Sequence, residues 1–351
     1  MCRHSFGRFR QYIHIPWLVA LGRYLPHRHP LVFLVAAVIG SFIGTVDSSP
    51  EINYKFAPSI QPNANGVRKS LSSSSPVILK INFHGIIGTD SLDQHTIRQL
   101  LVESREQTLK DNRVKAIILH LETPGGTALD SDGIYHAIKA YKEEYKVPVY
   151  AFVDGLCASG GMYIASAADK IFATDASLIG SVGVISPPFF NFTQLIEKIG
   201  VQAETLYEGK GKDNMNPFRS WHKGDDENLK EVIAYYYKSF VDIVASNRPN
   251  LSKEKLVDVY GASIYPGQQA KEYGYIDESG QSYGDTLKLL AKQIGVEEDA
   301  YQVIELQSTN WISELFRSRM DLLRGHVTHQ LSLSPETDPK LQNQFLYLYR
   351  P

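Results

Sequence analysis

Apolar residues in this chain fall into short blocks separated by longer amphipathic stretches. Val77 to Phe83 alternates as a strand, while Val114 to Leu121 and Val147 to Val153 are apolar runs of the kind buried inside a sheet. Between them, Ile97, Leu100 and Leu101 share one helical face behind a cap at Asp90 or Ser91, and a second helix runs from about Leu129 to Tyr145. After the Val147 run a pattern of small residues, Ile164 to Ala168, reads as helix. Further strands are expected at Lys170 to Ala173, Ser181 to Ile185 and Gln202 to Tyr207, with a helix near Phe192 to Ile199. Helices then dominate, at Asp225 to Ser246, Lys253 to Tyr260 and Gln268 to Tyr273. Strands alternating with helices predict an α/β fold around a largely parallel sheet.

The ends differ in kind. From Pro30 to Val46 there is no charged residue, and as a helix that stretch would measure about 25 Å, near the lower limit for crossing a bilayer. Arg3, Arg8, Arg10, Arg23 and Arg28 precede it, and the next basic residue is Lys55. The asymmetry predicts a retained signal anchor with a cytoplasmic N-terminus and the rest of the chain outside, at the inner membrane facing the periplasm if the cell is Gram-negative. The expected organisation is therefore a basic N-terminus (1–29), a transmembrane anchor in contact with lipid (30–46), a Pro/Asn/Ser-rich linker (47–75), a folded domain (76–307) and a C-terminal tail (308–351). Within the tail, Trp311 to Leu323 reads as an amphipathic helix, and Phe345-Leu346-Tyr347-Leu348-Tyr349 as an apolar packing or oligomer contact.

Composition narrows the chemistry. With 36 basic and 38 acidic residues the chain has no footprint for nucleic acid. Its two cysteines, Cys2 and Cys157, are too few for a disulfide framework and suggest no metal site. No cofactor motif is present, so none is expected.

One segment carries the sharpest chemical signal. In Asp154-Gly155-Leu156-Cys157-Ala158-Ser159-Gly160-Gly161-Met162-Tyr163 a serine sits between small residues where a strand gives way to a helix. A helix N-terminus there offers free N–H groups to a developing oxyanion. The same glycines would serve equally well to let a helix pack closely on a strand, and the segment alone leaves both readings open. A second glycine turn, Pro124-Gly125-Gly126, follows the Val114 strand. Were the two turns neighbours, the N–H groups of Gly126 and Gly160 could share one oxygen. A serine nucleophile also needs a base. His84, His95, His120, His136 and His222 form no recognisable base motif, and Cys157 lacks a histidine partner and reads as a packing residue. A lysine serves only where its surroundings favour the neutral amine. Lys212, in Glu208-Gly209-Lys210-Gly211-Lys212-Asp213, would by itself read as a solvated surface residue.

Taken together, Val114 to Leu119, Thr123 to Gly126, Ala158 to Tyr163, Ala167 to Ala173, Ile179 to Val184, Gly211 to Asp213 and Tyr265 to Asp277 resemble the signal peptide peptidase A family of membrane-bound serine peptidases. The resemblance covers roughly Val77 to Gly280. It implies a Clp-protease/crotonase-like α/β fold and a Ser–Lys dyad, with Ser159 as nucleophile, Lys212 as general base, Ser181 orienting the lysine amine, and Gly126 and Gly160 as oxyanion donors. Thr123 and Met162 depart from the commoner Ser and Tyr at those positions, without removing a catalytic group. The implied activity is endopeptidase cleavage of membrane-associated peptides such as signal-peptide remnants, in a homo-oligomer for which eight copies is one allowed size. A crotonase-like acyl-CoA enzyme and a non-catalytic membrane scaffold share the fold and stand as the alternatives.

Overall fold

The apolar runs become the central strands of one mixed sheet. A computed structural model describes residues 55–89, 92–297, 299–309 and 344–349. Strand β2 (Val77–His84) lies parallel to β3 (Val114–Thr123), which lies parallel to β5 (Val149–Ala158). Strand β6 (Lys170–Ala173) pairs with the first half of β5, and β7 (Leu178–Gly180) pairs with its end. On the far side β8 (Ile264–Pro266) closes antiparallel on β7. At the other edge β9 (Gln302–Ser308) runs parallel to β2 and carries β1 (Phe56–Gln61) antiparallel. The eight-stranded order is β1-β9-β2-β3-β5-β7-β8, with β6 off that path beside β5.

Side-chain alternation sorts the core onto two faces. Leu79, Ile81, Phe83, Leu119, Leu121 and Val153 join a large cluster that takes in Ile134 and Ile138 of α2 (Ala128–Tyr145) and Phe240 and Val244 of α5 (Glu227–Asn247). Ile78, Ile118 and Phe152 point the other way, onto Leu287 and Leu290 of α7 (Tyr283–Gln293). Each such fully buried side chain is worth about 1.5–3 kcal/mol. Local signals set the helix ends. Thr127 caps α2 by accepting from Asp130 N, and Lys146 ends it in the left-handed conformation. Ser282 and Asp285 close a reciprocal capping box on α7.

Several expectations are corrected. Among the described residues no helix is long and apolar enough to cross a membrane. The transmembrane part of the expected fold, the lipid contact and the single-pass localisation are therefore withdrawn, and residues 30–46, on which they were placed, lie outside the described residues. The stretch read as linker, 47–75, contributes β1. Its polar composition hides the strand because only Phe56 in it is buried, and Pro58 is tolerated on an edge strand. Helix α1 (Gln94–Glu103) is capped by Asp93, which accepts from His95 N and Thr96 N, while Asp90 and Ser91 lie outside the described residues, as does Trp311 to Leu323. The strand expected at 181–185 ends instead at Gly180, where Ser181 turns to φ +55°. Residues 202–207 form no strand. They run exposed, Leu206 at 88%, within a long arm between β7 and α5 that also carries α4 (Thr193–Lys198).

Candidate active site

Because β3 and β5 are parallel neighbours, with Thr123 opposite Cys157, the turns that leave their carboxyl ends come together. Strand β4 (Gly125–Thr127) leaves the first turn, and α3 (Gly160–Ala165) begins at the second. Their glycines touch without side chains between them. A Cβ on Gly125 would lie 2.7 Å from Gly160 N, and one on Gly161 would lie 2.6 Å from Thr123 Cγ2. Gly126 is pinned harder still, since its Cβ would fall 1.9 Å from Ile87 O. That oxygen cannot retreat, because it accepts from Thr127 N at 3.0 Å. We expect Gly126→Ala to cost about 2–3 kcal/mol or more through this overlap. Thermal unfolding would read the loss, and an unchanged midpoint would contradict the packing.

Ser159 occupies the turn between β5 and α3. Its backbone sits at φ 56°, ψ −116°, a region non-glycine residues avoid, and it is buried at 1% exposure. Strain of this kind persists only where neighbours hold it. Here Ser159 N donates to Gly180 O at 2.9 Å and Ser159 O accepts from Tyr163 N at 3.0 Å. Gly160 is the first residue of α3, so its N–H has no acceptor within the helix. Ser181, one residue beyond β7, is held by a 2.7 Å bond from its N–H to Ser263 O. Ala158 pairs with Gly180, so the two candidate serines leave adjacent strand ends side by side. A cleft of about 460 Å³ opens there, lined by Ser181, Val184, Ile185, Tyr237 and Leu348 among others. A larger hollow beside Tyr150 and Lys170 holds no nucleophile, and its Lys170–Asp277 pair is already closed at 2.8 Å.

The remaining candidates separate cleanly. Cys157 is fully buried two residues before Ser159, and burial pushes its thiol up to about 12. It stays a thiol at neutral pH, so we expect Cys157 to resist iodoacetamide in the native protein and to react once unfolded. Site-resolved mass spectrometry would show this, and rapid native alkylation would contradict it. His84 Nε2 and His120 Nδ1 meet at 3.2 Å at the sheet end. Burial, with the charges of Lys80 and His84, lowers His120 to about 4, against a smaller opposing pull from Asp154. Lys212 lies exposed on the arm, and no hydrogen bond joins it to Ser159 among the described residues. Asp213 is engaged by Asn216 and Arg219. It pairs with Arg219 Nε at 2.6 Å and accepts from Asn216 Nδ2 at 2.6 Å, which hold its carboxyl below the usual range.

Two features of the cleft escape a reading of the sequence. Tyr163 reaches from α3 to donate its hydroxyl to Asp132 of α2 at 2.7 Å. Strand β10 (Leu346–Leu348) pairs antiparallel with β4, placing Tyr347 opposite Gly126. Its only sequence signal is the alternation of the Phe345–Tyr349 tail, which the structure turns into a strand across the glycine turn.

Ser159 thus sits on a strained strand-to-helix turn beside glycine turns from two neighbouring strand ends. Residues 141–308 match the model of peptidase family S49. A protein of Enterococcus faecium named for signal peptide peptidase SppA is 32% identical over 232 residues, covering 63% of this chain and 64% of its own length. The chloroplastic serine protease SPPA of Arabidopsis thaliana is 33% identical over 185 residues, covering 52% of this chain and 27% of its own. The chain thus spans less than two thirds of each of these relatives. A ClpP1 mutant from Listeria monocytogenes overlays with a TM-score of 0.40 at 18% identity, covering 59% of this chain and 94% of that one. The chain is thus similar to serine peptidases of the signal peptide peptidase A type, and its residues 141–308 match peptidase family S49.

Proposed function

We propose that the chain is a serine endopeptidase that cleaves extended peptides with Ser159 as nucleophile and Lys212 as general base. The observation that carries this reading is Ser159 itself, held at φ 56° directly before the free N–H of Gly160 and beside the Gly125–Gly126 turn. In the proposed reaction Lys212 takes the Ser159 proton as Oγ attacks the peptide carbonyl. The N–H groups of Gly126 and Gly160 stabilise the oxyanion, and the protonated lysine then gives its proton to the leaving amine. In this reading Ser181, which follows the Gly180 paired with Ala158, orients the amine.

Lys212 must be brought to Ser159, and the arm that bears it suggests how. Phe189, Phe190, Leu195, Leu206, Tyr207 and Phe218 are all exposed on it, an apolar surface that a monomer does not leave open to water. We propose that a second copy of the chain covers this surface and that Lys212 serves the Ser159 of its neighbour. Loss of peptide hydrolysis in Ser159→Ala tests the nucleophile, and mixing singly disabled copies tests the arm.

A further inference from the structure

The last residue of β3 ties the two glycine turns together. Thr123 is fully buried, and its side chain makes two separate contacts. Its Oγ1 accepts from Gly125 N at 3.0 Å, a bond that spans Pro124, which has no N–H to give. Its Cγ2 faces the other turn. A Cβ on Gly161 would lie only 2.6 Å from that methyl, which therefore occupies the space a side chain there would need. Strand register holds Thr123 between the two turns, because it lies opposite Cys157. Ser131, which packs against Gly160, gives its hydroxyl to Thr127 O instead.

The bond to Gly125 N governs where the next N–H points. Gly125 stands at φ +97°, and glycine has few local constraints of its own. Its N–H is held by Thr123, and its carbonyl accepts from Ile87 N at 2.9 Å. The Gly125 carbonyl and the Gly126 N–H belong to one peptide plane and, the bond being trans, point in opposite directions. Fixing the first therefore aims the second, the proposed oxyanion donor, away from Ile87. Without the Thr123 hydroxyl the Gly125 N–H would be buried and unpaired, and the glycine would turn to satisfy it. The other proposed donor, Gly160 N, belongs to the residue just before the glycine that the methyl abuts.

We infer that Thr123 is the positioning residue of the oxyanion hole: its hydroxyl sets the direction of the Gly126 N–H, and its methyl packs the Gly160–Gly161 turn beside it. The inference rests on the peptidase reading for its catalytic meaning, and in this role Thr123 touches no reacting atom. An oxyanion donor is worth about 10²–10³ in kcat, and a displacement of about 1 Å can forfeit about 10²-fold. A misdirected donor should therefore lower kcat and leave KM nearly alone.

The test removes the hydroxyl twice in the full-length chain, comparing Thr123→Val with the unsubstituted protein and Thr123→Ala with Thr123→Ser. With labelled casein as substrate, each comparison should show kcat about 10- to 100-fold lower without the hydroxyl, and KM within about twofold. Thr123→Ser should stay within about threefold of the unsubstituted chain in kcat. The peptide aldehyde Leu-Leu-leucinal, whose oxygen enters the oxyanion hole when Ser159 Oγ adds to its carbonyl carbon, should lose affinity by a similar factor, while the alcohol Leu-Leu-leucinol should not. A purely structural role predicts losses that follow the unfolding temperature and fall on both inhibitors alike. Hydroxyl-free variants that keep kcat within about threefold of their partners, or equal weakening of the two inhibitors, overturn the inference. Hydrogen exchange supplies an arm that needs no turnover. Peptides covering residues 123–127 should exchange faster in Thr123→Val and Thr123→Ala than in their hydroxyl-bearing partners, and equal exchange overturns the inference. If Ser159→Ala hydrolyses casein as fast as the unsubstituted chain, the peptidase reading falls, and the exchange result still decides whether Thr123 holds the turn.

Discussion

Ser159→Ala should lower kcat/KM for peptide hydrolysis by at least about 10³-fold while leaving the fold in place. The substitution removes one hydroxyl and keeps the backbone at φ 56°, so thermal unfolding should move little. Ser159→Gly sharpens the argument. Glycine adopts that conformation without penalty, so this variant should be more stable than the unsubstituted chain by about 1 kcal/mol and equally inactive. Denaturant unfolding beside a peptide assay would measure both. A glycine variant that loses stability would mean that the strain is not where the structure places it. An alanine variant that keeps its activity would remove Ser159 from the chemistry.

The second large effect concerns Lys212. Lys212→Ala should abolish turnover, and Lys212→Arg should do so equally, because a guanidinium keeps its proton where a base must accept one. Neither change should disturb the monomer, since the side chain is exposed and the adjoining turn is held by Asp213, Arg219 and Asp225. If the base comes from a neighbour, a 1:1 mixture of Ser159→Ala and Lys212→Ala chains should recover activity, because about a quarter of the interfaces in a randomly mixed ring unite an intact serine with an intact lysine. Co-expression followed by a peptide assay measures this. A mixture as inactive as its components would place the base within the same chain.

Much of this site was legible in the sequence because short-range chemistry wrote it there. Val114 to Leu121 and Val147 to Val153 are apolar because both faces of the central strands are covered, and their parallel pairing brings Pro124-Gly125-Gly126 to Gly160-Gly161. The glycines themselves report close approach, and at Gly126 a side chain would come within 1.9 Å of Ile87 O. What stayed hidden depended on long-range pairing. Strand β1 is polar in composition and gains its place only by hydrogen bonding to β9, almost the whole domain away in sequence. The strand expected at 181–185 stops because Ser181 spends its N–H on Ser263 in a left-handed turn, which no hydrophobic pattern reveals. Residues 202–207 have the residue types of a strand but find no partner among the described residues. Tyr347 read as part of an apolar tail, since nothing local marks the pocket formed by Tyr163, Tyr236 and Phe240. The membrane anchor rested on hydropathy and charge asymmetry alone, and no membrane-crossing helix occurs among the described residues.

Labelling of the assembled protein with a serine-reactive fluorophosphonate, followed by peptide mass spectrometry, puts the dyad to its sharpest test. Nucleophilic attack by an activated Ser159 should leave a single adduct on the peptide that contains it, absent in Ser159→Ala and strongly reduced in Lys212→Ala. An adduct on another residue, or labelling that survives both substitutions, would contradict the dyad.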